Sequence, residues 1–241
     1  MIIAIDGPAG SGKSTIAQIV AARLGFTYVD TGAMYRAVTL LALDEGVALD
    51  DGRALGGLAE DAGVSLRPAS AVAAGKKGEA PSPPRVYVGE REITREIRTQ
   101  AVTRSVSQVS AHQEVRDAMT RRQRRLASGG DVVMDGRDIG TVVCPGAEVK
   151  IYLTASLHER ARRRELQLEG QGLRADGGTI ETDMMARDAY DSGRAVAPLC
   201  KAEDAVEVDT TYMTVVQVAA EVVRLAERAS QGRTRGGTCA G

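Results

Sequence analysis

Eight consecutive residues, Gly7-Pro8-Ala9-Gly10-Ser11-Gly12-Lys13-Ser14, have the types and spacing to do chemistry. They fit G-x-x-x-x-G-K-[ST], a loop whose glycines let the backbone curl around a phosphate and aim N–H groups at it. Such a loop works between a strand and a helix. The run Ile2-Ile3-Ala4-Ile5 before it reads as a short buried strand. Ser14–Leu24 after it carries Ile16, Ile19, Val20 and Leu24 at helical spacing. The helix N-terminus adds its positive end to the cradle. Gly7, Pro8, Ala9, Gly10, Ser11, Gly12, Lys13, Ser14 and Thr15 are therefore the expected triphosphate-binding residues. Lys13 is placed to reach the β- and γ-phosphates, and Ser14 to ligate Mg²⁺.

A phosphate loop alone does not separate a GTPase, a motor ATPase and a small-molecule kinase. A GTPase needs a base-reading N-K-x-D, and none occurs. A motor usually shows an apolar strand ending in Asp-Glu. Here Val132-Val133-Met134 ends in Asp135-Gly136-Arg137-Asp138. Asp135 is placed to act on Mg²⁺ directly or through water, and Arg137 and Asp138 fall at the ligand edge of an α/β sheet. A plain Arg–Asp surface pair is the other reading of those two.

Five segments in order then carry a resemblance: Asp6–Ser14, Asp30-Thr31-Gly32-Ala33-Met34-Tyr35-Arg36, Glu96-Ile97-Arg98-Thr99-Gln100, Asp135–Val143, and Arg194-Ala195-Val196-Ala197-Pro198-Leu199. Together they closely resemble the bacterial cytidylate kinases, from Ile2 to about Arg228. The resemblance implies transfer of the ATP γ-phosphoryl group to CMP or dCMP. Such an enzyme must gather about six negative charges in one place, by positioning and charge stabilisation. By the same resemblance, Lys13, Arg36, Arg137, Arg163 and Arg187 are the expected catalytic cations. Thr31 stands at a sugar-contacting hydroxyl, and Arg36 and Arg137 at contacts to the acceptor phosphate. Asp138 matches the acceptor for the cytosine amine, Ser107 and Arg116 donors to the base edge, and Arg194 another substrate contact. Arg187 and Asp191 are four apart, on one face of a helix, and match contacts to the sugar. A surface salt bridge is the alternative for that pair.

The run Glu159-Arg160-Ala161-Arg162-Arg163-Arg164 falls where related kinases form a short lid over ATP. Arg160 and Arg164, one turn apart, are expected to face the phosphates together, with Arg163 beside them. Arg162 reads as solvated. Two departures stand out: Tyr190 replaces an arginine that precedes the sugar-contacting Asp, and a Pro-rich stretch at 70–84 interrupts the substrate side.

The elements that must position these residues alternate between strand and helix. Further strands are expected at Thr27–Val29, Asp131–Met134, Glu148–Leu153 and Ala205–Val208. Helices are expected at Tyr35–Leu43, Val115–Leu126, Ser156–Leu168, Met184–Tyr190 and Val215–Ala229. That order argues for an α/β fold with a five-stranded parallel sheet, a P-loop kinase architecture. One domain spans 1–229, with core segments 1–49, 101–155 and 195–229. A small acceptor-binding subdomain with its own β-hairpin (Val64–Arg67 and Arg85–Val88) is expected at about 50–100, and a lid at about 156–194. From Ser230 to residue 241 the chain reads as a disordered tail.

The 241 residues are 43% hydrophobic and 26% charged, ordinary for a globular protein and far from a disordered one. A net charge of −1 argues against a general nucleic-acid binder. The run Arg121-Arg122-Gln123-Arg124-Arg125 has no interleaved aromatics and reads as a solvated helix face, although an RNA-associated module would also carry one. Other acceptors, UMP, AMP or a small alcohol, are the rival readings within kinases. Three scattered cysteines give no disulfide framework, and neither His112 nor His158 sits in a metal spacing. With no leader-like start and no long apolar run, the expectation is a cytoplasmic monomer using Mg²⁺, ATP and CMP or dCMP.

Overall fold

The computed structural model describes residues 1–67, 82–170, 172 and 177–236. In chain order the elements are β1 (Ile2–Asp6), α1 (Lys13–Leu24), β2 (Thr27–Asp30), α2 (Thr31–Asp44), α3 (Gly52–Asp61), β3 (Val64–Arg67), β4 (Arg85–Val88) and β5 (Arg91–Glu92). A 3-10 turn at Glu96–Arg98 precedes α4 (Gln100–Val109), α5 (Gln113–Ala127) and β6 (Val132–Gly136). A π-turn at Ile139–Val143 leads to β7 (Val149–Thr154), α6 (Leu157–Glu169), α7 (Gly177–Gly193), β8 (Val206–Asp209) and α8 (Val215–Gly236).

The main sheet has five parallel strands in the order β2-β6-β1-β7-β8. Side chains on β1 alternate between its faces, as the pleat requires. Ile3 and Ile5 pack with Ile16 and Val20 of α1 and Val218 and Val222 of α8. Ala4 turns to the other face, where Met34, Leu55, Val102, Val115 and Met119 of α2 to α5 gather. The register sets Asp30 of β2 beside Asp135 of β6, and Asp6 of β1 beside Gly136. Three strands thus end in carboxylates at one edge of the sheet.

The segment 50–100 carries the expected hairpin, Val64–Arg67 against Arg85–Val88, and shares the main core. Leu55, Val64, Val86, Ile93 and Ile97 lie in the same cluster as Met34 and Met134, and its sheet has three strands, β3-β4-β5. Its apolar side is too small to close on itself. The helix α4 fills a stretch in which no helix was expected. The predicted disordered tail is overturned for its first part, because α8 continues to Gly236. The amphipathic run Val215–Ala229 nucleates the helix, and adding residues to a formed helix costs far less than starting one. Most of the Pro-rich stretch, and residues 237–241, lie outside the described residues. Among the described residues no helix is long and apolar enough to cross a membrane.

Asp6 ties the turn after β6 to the middle of the sheet. Its two carboxylate oxygens accept the amides of Ile139, at 2.8 Å, and Gly140, at 2.7 Å. Burial, opposed by those amides, pushes its pKa from 3.8 up to about 6. The folded state therefore holds a proton that the unfolded chain releases between about pH 4 and 6, so this group's contribution falls as pH rises through that window. Asp6→Ala orphans two buried N–H groups and should lower stability by about 2 kcal/mol or more. Urea denaturation should show this loss, with a shallower fall in stability between pH 4 and 6 than the parent. A variant of parental stability would remove Asp6 from this role.

Candidate active site

The phosphate loop closes against the sheet. Gly7 has φ +146°, and a Cβ there would lie 2.0 Å from the Leu153 carbonyl oxygen, so only glycine fits. Lys13 folds back on the loop, donating from Nζ to the Pro8 carbonyl at 2.6 Å and to Ser11 Oγ at 3.4 Å. Burial, and then the nearby Arg137 guanidinium, pull its pKa well below the usual lysine range. Thr15 faces solvent.

Next to Lys13, Ser14 Oγ donates to Asp135 Oδ2 at 2.7 Å, and Tyr28 Oη to Oδ1 at 2.8 Å. Burial and the neighbouring Asp30 push Asp135 up to about 7. A hydroxyl beside a carboxylate of raised pKa suits a hard divalent cation, which would replace the proton that burial favours. Thr31 Oγ1 donates to the Asp135 carbonyl at 2.6 Å, so the acceptor-side hydroxyl and the metal-side carboxylate share one residue.

The basic residues converge above this edge. Arg36 donates to the Ile97 carbonyl at 3.2 Å and to Thr103 Oγ1 at 2.9 Å. Its pKa falls to about 10, through burial first and then the repulsion of Arg187, with Arg164 and Arg137 adding to it. Arg187 also falls to about 10, through burial and then Arg137, and its Nε is buried without a partner. Arg137 donates from Nε to Asp191 at 3.2 Å. The pair at positions 187 and 191 is thus no surface salt bridge: Asp191 is buried and held by Arg137. Lys13, Arg36, Arg137, Arg164 and Arg187 lie within electrostatic reach of one another. A fold concentrates cations in this way where an anion is to be bound.

A second pocket adjoins the first. Arg116 and Asp138 form a buried ion pair, and Arg116 also donates to the Ser110 carbonyl at 3.1 Å and stands 5.3 Å from the Tyr35 ring centre. Ser107 is half-buried on α4, and its carbonyl accepts Ser110 Oγ at 3.2 Å. Arg194 donates to the Ala197 carbonyl at 2.7 Å and keeps a buried Nη2 without a partner. Ala197 itself has φ +46°, the one non-glycine residue in the left-handed region among the described residues. Its strain is placed where it aims the Arg194 fork.

The lid arginines divide their work. Arg160 is buried and turned inward, donating to the Ala155 carbonyl at 3.1 Å and the Ala9 carbonyl at 3.2 Å, and pairing with Asp188. Arg163 bonds Glu159 at 2.9 Å, Thr210 Oγ1 at 2.9 Å and the Thr210 carbonyl at 2.7 Å, with its Nη1 against Gly12. Arg164 bonds Gln167, at 2.8 Å, and stands close enough to perturb Arg36 and Arg187. Arg162 pairs with Glu159 at the surface, and Tyr190 is exposed. In the other basic run, Arg121 pairs with Glu60, and Arg124 donates to the Val143 and Val142 carbonyls. Those are intramolecular roles. Tyr28, Thr210 and Asp188 escaped the sequence reading. Only the expected strand end at Val29, beside Asp135, pointed toward Tyr28 and Asp30.

A family model described as cytidylate kinase matches residues 3–228. A protein named cytidylate kinase from Exiguobacterium sibiricum is 48% identical over 227 residues, covering 94% of this chain and 97% of its own. Another of that name, from Geobacillus thermodenitrificans, is 49% identical over 223 residues, covering 92% of this chain and 95% of its own. A bifunctional pantoate ligase/cytidylate kinase of Trichormus variabilis is 47% identical over 223 residues, covering 92% of this chain and 40% of its own.

The crowding of cations has a measurable cost. Because the folded pKa of Arg187 lies below its unfolded 12.5, the fold penalises its charge at every pH below about 10. Asp188 and Asp191 keep Arg160 and Arg137 as partners when Arg187 is removed. Arg187→Met should therefore raise the melting temperature of the nucleotide-free protein by a few degrees at pH 7–8. It should also lower kcat/KM at least tenfold, as expected for a lost charge-assisted contact of about 1.5–3 kcal/mol. Scanning calorimetry beside an ADP-release assay tests both. A clear fall in melting temperature would show that Arg187 is a structural ion-pair partner.

Proposed function

The chain belongs to the cytidylate kinase family, and from that premise we propose how its own residues transfer the γ-phosphoryl group of ATP to CMP or dCMP, releasing ADP. The observation that carries the reading is the set of mutually repelling cations at the phosphate loop: Lys13, Arg36, Arg137, Arg164 and Arg187. The phosphates of both nucleotides neutralise that charge, which carboxylates such as Asp191 and Asp135 offset only in part.

On the donor side, the amides of Gly7–Thr15 hold the triphosphate, and Lys13 leaves the Pro8 carbonyl for the β- and γ-phosphates. Arg163, anchored by Glu159 and Thr210 against Gly12, flanks that loop. Ser14 and Asp135 would hold Mg²⁺, which would supply charge neutralisation at the triphosphate. On the acceptor side, Arg36 and Arg137 grip the CMP phosphate, so that its oxygen lies in line with the γ-phosphorus. Arg164 and Arg187 sit between the two phosphates, where negative charge spreads in the transition state. The attacking phosphate oxygen is already ionised, so no general base is needed.

Base selection falls to the second pocket. Asp138 Oδ2 is held by Arg116, and the other oxygen accepts the exocyclic amine of cytosine. Ser107 and Arg116 donate to the remaining edge. Thr31, Arg187 and Asp191 meet the sugar, and Arg194 completes the acceptor contacts. The intramolecular bonds of Arg121 and Arg124 leave no feature favouring an RNA-associated module.

ADP formation from MgATP should be fast with CMP and dCMP and slow with UMP, AMP and GMP. Asp138→Asn places an N–H where the pocket must accept one, and uracil presents a carbonyl there. The variant should lower kcat/KM for CMP by about 100-fold and move the CMP-to-UMP ratio toward UMP by at least tenfold. An equal loss on both acceptors would remove Asp138 from base reading. No turnover with any nucleotide in the parent would overturn the reaction itself.

A further inference from the structure

We propose that Asp188 is a positioning residue that couples the two nucleotide sites, by locking the acceptor-contacting helix α7 onto the donor phosphate loop through Arg160. This rests on the assignment of Arg187 and Asp191 to the acceptor. Asp188 touches neither nucleotide in that assignment, and its own contacts point elsewhere. Its Oδ2 pairs with Arg160, whose same Nη1 donates to the carbonyl of Ala9 in the phosphate loop at 3.2 Å. Arg160 is only 7% exposed, and Nε fixes the guanidinium from behind on the Ala155 carbonyl at 3.1 Å. The chain of contacts from α7 to the loop is thus two links long and part-buried.

A second contact runs parallel to it. Met184 lies directly against the loop: a Cβ at Gly10 would meet its Cε at 2.5 Å and Arg160 Cβ at 3.1 Å. Met184 also packs with Ile180 of α7 and Ala161 of α6, and Ala9 joins the same apolar cluster. Residues 180, 184, 187, 188 and 191 recur at helical spacing on one face of α7. Met184 and Asp188 therefore bear on the donor loop, and Arg187 and Asp191 lie beside them on the same helix. A helix with intact hydrogen bonds moves as a rod. A shift of Ala9 and Gly10 when a triphosphate fills the loop is passed to the acceptor groups three to seven residues on. By linkage, the acceptor must act on the donor site by the same factor.

The experiment measures the factor by which saturating ATP lowers the KM for CMP, and saturating CMP the KM for ATP. In the parent both factors should exceed about three and agree with each other. In Asp188→Asn both should fall toward one, with a rise in KM for CMP of about tenfold and a smaller change in kcat. Arg160→Met should give the same coupling loss, and the double variant should be no worse than either single. Should Asp188→Asn fold poorly, Met184→Ala tests the parallel contact with every charge kept, and it too should lower the factor. Circular dichroism melting checks the fold of each. An uncoupled parent overturns the proposal, as does intact coupling in all three variants, or a loss in Asp188→Asn confined to kcat. A parent that does not phosphorylate CMP defeats the reading on which the proposal rests, and a parent that does isolates the proposal itself.

Discussion

Repulsion among the cations over the phosphate loop is the constraint to which the rest of the structure answers. Lys13 and the half-buried arginines Arg36 and Arg187 all have depressed pKa values, each with another cation among the causes. In water such charges would separate. Here they are held by elements that bury large apolar areas on both faces of the sheet. Hydrophobic burial, at about 25 cal/mol per Å² of apolar surface, is the term large enough to hold them together. The loop, the turn after β6 and α7 are positioned by that core, and the phosphates of the substrates supply the charge that the fold omits. Strong binding of the transferring group and modest stability without it are then one fact seen from two sides.

The carboxylates at the sheet edge stop this concentration of charge from tearing the edge apart. They are used one by one, not as a general counter-charge. Asp191 orients Arg137, Asp138 orients Arg116, Asp188 orients Arg160, and Asp6 holds the backbone that carries Arg137 and Asp138. Asp135 keeps a raised pKa because Asp30 stands beside it in register. A cation bound between Ser14 and Asp135 would relieve that repulsion. Parallel pairing is what brings Asp30 and Asp135 together, and the same pairing sets β6 beside the strand that starts the phosphate loop.

What could be read in the sequence was local. The phosphate loop spans eight residues between a strand and a helix, and both flanking elements announce themselves by their apolar periods. The five core strands were legible for the same reason, being short apolar runs that end in polar turns. The lid was not legible in detail. The segment Glu159–Arg164 shows four arginines, but only the fold decides that Arg160 turns to Ala9, Arg163 to Thr210 and Arg164 toward the phosphate junction. Those choices depend on partners up to about 150 residues away, as with Arg160 and Ala9. In the segment 50–100 the hairpin strands were visible in sequence, whereas the layer that covers them was not. Its apolar residues join the core under α2 and α5.

The ion pair between Arg116 and Asp138 shows how selectivity is built where stability would choose otherwise. Both side chains are nearly inaccessible, at 3% and 4% exposure. A buried pair of this kind is often no more stable than an apolar pair of the same volume. Its worth lies in what it forbids. With one Asp138 oxygen fixed by Arg116, the free oxygen has a single direction and accepts only. A base that offers a carbonyl at that point meets like charge, and one that offers nothing leaves a buried carboxylate unpaired. Either outcome costs several kcal/mol, well above the 1–3 kcal/mol that shape alone distinguishes in an apolar pocket. On the proposed assignment, the amine of cytosine is read through a charge whose orientation was set during folding. The Tyr35 ring lies 5.3 Å from Arg116. It holds the guanidinium on its other side, so that the carboxylate has no second position to take.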